Sequence, residues 1–220
     1  MISNDTCSTT SDGNSMFGRI QTNSTYQNYT ITVLDDIWQF SATPFYSCPN
    51  NFMLLFRPLG LWCMGVLFKT TSSGISQQDA VQKCSTDYNG ILSGFQTTEE
   101  KVWLVGVTKG KESGYNYDGY WVNGKRKITC MYRNQTGTAC NGSNAFTFTD
   151  PTMSWTNAYT WGYDSQPDGM TDNLGTSNCI VFRVRNNDGG GMDDRPCDSV
   201  ANPNVVFYNG FVCGLKPNES

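Results

Sequence analysis

The 220-residue chain contains no histidine. That excludes the Ser-His-Asp triad, the Cys-His pair and every histidine-ligated zinc site. Charge is scarce too: charged residues are 15% of the chain, against about 25% in ordinary proteins. The net charge is −4 and the isoelectric point 4.7, which argues against nucleic acid, a ligand that needs a basic patch. No C-x-x-C pair occurs among the nine cysteines, so neither a redox motif nor a cysteine zinc site is indicated. No apolar run is long enough to cross a bilayer. The most apolar stretch, residues 52–68, is interrupted by Arg57 and Pro58 and reads as a buried hairpin. The first 18 residues are polar, so a leader peptide is expected to be absent or already removed.

What is present is aromatic and cysteine-rich. Aromatic residues reach 13%, enough for a packed core rather than disorder. The length suits one domain, or one domain with an extension. Nine cysteines read most simply as four disulfides and one odd thiol, and therefore as an oxidising, extracellular compartment. Spacing alone leaves the connectivity open, since eight cysteines allow roughly a hundred pairings. Asn4, Asn23, Asn28, Asn134, Asn141 and Asn218 each begin an N-x-S/T acceptor, which agrees with secretion.

Composition divides the chain near residue 47. Residues 1–47 are rich in Ser, Thr and Asn and hold the lone Cys7. They read as a glycosylated stalk or the remnant of an upstream domain, with one alternating strand at residues 29–34. Cys7 is the candidate for an intermolecular disulfide. From Cys48 onward the pattern is that of a compact domain. Cys48 and Cys63 flank apolar residues and a turn-like Arg57-Pro58-Leu59-Gly60. Ser76 with Asp79 has the spacing of a helix N-terminus, and Ala80, Val81 and Cys84 then share a face. A second helix is expected from Thr97, with Glu100 at the capping distance and Val102, Trp103 and Val107 as its apolar side. Strand-like runs follow at residues 120–123, 145–149, 179–184, 205–208 and 210–213. Helices followed by many short strands give an α+β order.

In this order the cysteines and motifs resemble the C-type lectin-like domain, long form, and in particular its nematode secreted branch. Trp121-Val122-Asn123-Gly124 is similar to the WIGL strand of that family. Ala145-Phe146-Thr147-Phe148-Thr149-Asp150 resembles its W-x-W-x-D-G segment, and Gln166-Pro167-Asp168 its EPN/QPD motif. Met192-Asp193-Asp194 resembles its W-N-D element, between Cys179 and Cys197. The resemblance covers residues 48–214, leaves residues 215–220 as a tail, and implies two helices, two small antiparallel sheets and a long loop region. It also implies the pairs Cys48–Cys63, Cys84–Cys213 and Cys179–Cys197, with Cys130–Cys140 as a local staple.

By the same resemblance the long loop holds Ca²⁺, and Ca²⁺ holds a sugar. Gln166, Asp168, Asp193 and Asp194 are the implied metal ligands, with a cis Pro167 aiming the first two. Gln166, Asp168, Asp193 and Tyr163 are the implied sugar contacts, and Trp161 is a second aromatic beside the motif. QPD implies galactose-type sugars. Two departures stand against this set. Ser177, a poor ligand, occupies the position of a Glu that binds both metal and sugar, and Asp172 is the candidate substitute. Asp193 replaces an amide donor and, when ionised, only accepts hydrogen bonds. The implied function is therefore calcium-dependent carbohydrate binding in surface recognition and innate immunity. The alternative is a lectin-like domain that has lost sugar binding and recognises a protein. Enzymatic activity is not expected, because adjacent Asp193 and Asp194 would point to opposite faces of a strand and no nucleophile elbow or phosphate loop is present.

Overall fold

A computed structural model describes residues 6–9, 15–34, 37–69, 72–131, 138–162, 166–185, 188–202 and 205–220. Tyr163, Asn4 and Asn134 lie outside the described residues. The strands, in chain order, begin with β1 Thr6–Thr9, β2 Ser15–Gln21, β3 Thr25–Leu34, β4 Ile37–Ala42, β5 Tyr46–Ser47, β6 Phe52–Arg57 and β7 Gly60–Phe68. Then come α1 Gln77–Tyr88, β8 Ile91–Leu92, α2 Thr98–Thr108, β9 Tyr117–Arg126 and β10 Phe146–Thr147. The remainder are β11 Thr171–Asp172, β12 Gly175–Arg185, β13 Asp188–Pro196, β14 Ala201–Asn202, β15 Val206–Leu215 and β16 Asn218–Glu219. The class is α+β, the C-type lectin type of arrangement: two helices with mixed sheets.

The chain divides into two compact units. One comprises residues 1–56, 61–63 and 216–220; the other comprises residues 57–60 and 64–215. The first unit holds a six-stranded sheet in the order β1-β2-β3-β5-β16, with β4 on β3. The sequence suggested a single strand at residues 29–34. The described residues instead carry strands through most of the N-terminal extension, because β2, β3 and β4 alternate well enough to pair in register. The Cys48–Cys63 disulfide lies in this unit.

In the second unit, β12, β9 and β15 lie side by side, and β15 runs parallel to β9. Trp121, Tyr120, Tyr208, Phe95, Phe182 and Phe211 are fully buried there. The Trp121 indole N–H donates to the Ile75 carbonyl at 2.8 Å, so a large apolar ring is buried without orphaning its polar atom. Residues 205–208 and 210–213, read separately from the sequence, belong to one strand with an irregularity between Tyr208 and Gly210. Cys84–Cys213, Cys130–Cys140 and Cys179–Cys197 are all formed, as implied.

The helices start where expected. Ser76 accepts from the Asp79 N–H and Thr97 from the Glu100 N–H. Their buried faces differ from the expectation. On α1, Ala80 and Cys84 are buried but Val81 is exposed. On α2 the buried residues are Glu100, Lys101, Leu104 and Thr108, while Val102 is exposed. For α2 the reason is Arg57. Read from the sequence as part of a turn, it is buried and donates to Glu100, Asp150, Thr152 and the Gly94 carbonyl. A buried guanidinium needs such partners, and they rotate the polar side of α2 inward. The turn itself closes at Gly60, whose φ of +135° favours glycine.

Candidate functional site

The candidate loop follows Trp161 and ends on β12 and β13. Gln166-Pro167 is a cis peptide bond, as the resemblance implies. Gln166 and Asp168 lie together: Gln166 Nε2 approaches Asp168 Oδ2 at 3.4 Å, and Asp168 Oδ1 accepts from the Met170 N–H at 2.8 Å. Trp161 stacks on Phe146 with ring centroids 5.6 Å apart and is half-buried. Asp172 is exposed on β11 and accepts from the Leu174 N–H. Ser177 is buried, and its carbonyl accepts from Arg126 Nε at 3.0 Å.

The two aspartates of β13 take opposite faces, as adjacent strand residues must. Asp194 pairs in register with Ile180, and Asp193 with Val181. Asp194 is sealed from water. Its Oδ1 accepts from the Asp168 N–H at 3.0 Å and its Oδ2 from the Gly169 N–H at 2.9 Å. Oδ2 also forms an ion pair with Arg126. Arg126 reaches the Ser177 and Cys130 carbonyls as well, and its guanidinium lies 4.8 Å from the centre of the Phe146 ring. Asp193 faces Arg183 and Arg195, at 3.3 and 2.5 Å. These pairs are close but poorly aligned, and neither Asp193 oxygen has a hydrogen bond of good geometry. Burial pushes the Asp194 carboxyl up to about 6, against the pull of Arg126 and the Gly169 N–H. Burial also raises Asp193, opposed by Arg195 and Arg183.

Calcium takes about six to eight oxygen ligands converging on one point. The four implied ligands do not converge that way here. Gln166 and Asp168 share the loop, Asp194 is spent on Arg126 and two backbone N–H groups, and Asp193 faces away from it. Among the described residues no group of three or more acidic, Cys or His side chains could hold a metal ion. The donor set as arranged does not fit calcium. What the sequence reading missed was Arg126, Arg183 and Arg195, the cations that neutralise both aspartates. The only sequence signal was the basic residue next to Asp194.

The ordered disulfides, the buried Trp121 strand and the proline loop beside β12 and β13 define a C-type lectin-like domain, a class that is generally non-enzymatic and typically binds Ca²⁺. Residues 57–216 match the family model described as C-type lectin domain-containing protein 141/158, and the chain belongs to that family. No curated protein matches it. Among solved structures it is similar to the mouse scavenger receptor C-type lectin carbohydrate-recognition domain, at 17% identity over 78% of this chain and 98% of that chain, with a TM-score of 0.46. It is similar to the C-type lectin CEL-I from Cucumaria echinata at 16% identity over 78% and 99%, TM-score 0.48. Human lithostathine gives 18% identity over 77% and 91%, TM-score 0.46. Four disulfides are consistent with an extracellular protein, and no helix among the described residues is long and apolar enough to cross a membrane.

Proposed function

We propose that this chain is a secreted C-type lectin-like recognition module that binds a protein partner without calcium. The observation that supports it is the Asp194 carboxylate, occupied by Arg126 and by the N–H groups of Asp168 and Gly169. A guanidinium paired there neutralises the charge that a divalent cation would otherwise relieve. Residues 48–214 form the recognition domain and residues 1–47 an extension, carrying glycans at their acceptors. Asn23, Asn141 and Asn218 are exposed and Asn28 half-buried. Cys7 bridges to another chain, since the other eight cysteines pair within this one.

Calcium-dependent binding of galactose-type sugars, with a role in innate immunity, is the second reading. The side-by-side Gln166 and Asp168 favour it. Thermal unfolding in calcium and in chelator separates the two, together with retention on a galactose resin. A site binding at about 0.1 mM would gain about 2.7 kcal/mol in 10 mM calcium, roughly a hundred times its Kd. That would raise the midpoint by about 5–11 °C. The expected result is no shift and no retention. A shift together with chelator-sensitive retention would establish the second reading and overturn the first.

A further inference from the structure

Helix α1 carries a valine that its own periodicity assigns to the core and that the fold leaves in water: Val81 is 43% exposed. It lines a cavity of about 460 Å³ between the start of α1, β8, β9 and the segment around β10. Ile91 and Leu92 continue its aliphatic floor, and Leu92 is buried. Asn123 holds this floor in shape. Its Nδ2 donates to the Leu92 carbonyl at 2.7 Å and to Thr149 Oγ1 at 2.8 Å, and its Oδ1 accepts from the Thr149 N–H at 2.8 Å. An aliphatic cavity of this size, pinned by buried hydrogen bonds, has the preformed character of a small-molecule site.

The mouth of the cavity is cationic. Among the described residues that line it, Lys125 alone is charged. It is exposed and forms no ion pair among the described residues. In a chain of net charge −4, an unpaired ammonium beside an aliphatic floor selects an anion over a cation. Hydroxyls stand with it. Thr147 pairs with Lys125 in register, so their side chains share a face. Thr149 Oγ1 already accepts from Asn123, which leaves its proton to donate. An ammonium and two hydroxyls form a donor set for a carboxylate. A peptide fits less well. Its N–H groups need carbonyl partners, and the Leu92 and Asn123 carbonyls already accept, from Asn123 Nδ2 and from the Tyr159 hydroxyl.

We propose that this cavity binds a small aliphatic carboxylate. The ligand's hydrocarbon chain lies on Val81, Ile91 and Leu92, and its carboxylate accepts from Lys125, Thr147 and Thr149. The site lies wholly within the second unit and shares no residue with the loop of Gln166 and Asp168 or with Asp194. It is therefore independent of the calcium question and of the protein partner.

The test is a titration of the full-length, disulfide-bonded chain with octanoate below its micelle concentration, followed through the methyl NMR signals of Val81, Ile91 and Leu92. Octan-1-ol and octylammonium are the head-group controls, and an acetylated dipeptide ending in leucine is the peptide control. Octanoate is expected to shift the three residues' signals saturably, octan-1-ol to do so more weakly, and octylammonium not at all. Lys125→Met is expected to weaken octanoate roughly tenfold, the worth of one hydrogen bond to a charged group, and to leave octan-1-ol unchanged. Val81→Asp is expected to abolish binding of both. The two positions are exposed, and near-ultraviolet circular dichroism checks that the variants fold. No saturable shift with octanoate would overturn the proposal. So would equal binding of octylammonium, or an unchanged octanoate affinity in folded Lys125→Met. Tighter binding of the dipeptide would overturn it too, and make the cavity a peptide site. If Lys125→Met misfolds, salt decides on the wild type: an octanoate affinity that falls with rising salt supports the carboxylate contact, and one that does not refutes it.

Discussion

Arg126 and Asp194 form an ion pair at 2.5 Å between two strands 68 residues apart in sequence, and both side chains are sealed from water. The pair joins β9 to β13 and, through the Asp168 and Gly169 N–H groups, anchors the loop behind Pro167. Arg126 thus balances the buried charge of Asp194.

Removing one partner of this pair leaves the other buried and uncompensated, at a cost of about 3–5 kcal/mol. Arg126→Met is expected to lose that much in urea unfolding. Arg126→Met/Asp194→Leu is expected to recover most of it. A double variant as unstable as the sum of the two singles would show that the residues act independently.

Asp194 gives a pH signature. Its folded carboxyl is pushed up to about 6 from the ordinary 3.8, chiefly by burial, with Asp168 and Asp193 adding to the rise. A raised carboxyl pKa means that the folded state holds the proton more tightly. Its contribution is fully present below about pH 4 and is lost as pH rises through about 6. The difference is worth about 3 kcal/mol. Asp194→Asn is expected to flatten the stability profile between pH 4 and 6 relative to wild type. An unchanged slope would assign the titration elsewhere.

Arg57 is the second internal pin. Its guanidinium pairs with Glu100 of α2 and with Asp150, all buried. Arg57→Ala strands two carboxylates and is expected to cost about 3–5 kcal/mol. Hydrogen exchange would then show α2 opening first. Uniform loss of protection across the second unit would instead mean that the pin supports the whole core.

The disulfides should differ in weight. Cys84–Cys213 closes a separation of 129 residues and Cys130–Cys140 one of 10. By loop entropy the first is worth about 5 kcal/mol and the second about 3. Paired Cys→Ala variants measured by denaturant unfolding are expected to follow that order. A reversed order would mean that the short staple restrains native structure beyond its loop.

The elements legible in the sequence were those with local causes. Ser76 and Thr97 start the helices because a hydroxyl satisfies an N–H three residues on. The alternating run at residues 29–34 marks a strand because side chains alternate across it. The order of cysteines and motifs carried the family, since each motif occupies a few neighbouring positions.

What the sequence by itself determined was therefore the α+β class, the disulfide framework implied by resemblance and the position of the loop. Only the tertiary structure decided the charge balance. Arg57 found Glu100 and Asp150, 43 and 93 residues away, and Arg126 found Asp194. Such pairs leave no local trace, because a buried charge takes its partner from whichever strand folding brings within reach. The face of α2 was decided in the same way: packing, not periodicity alone, chose which side met water.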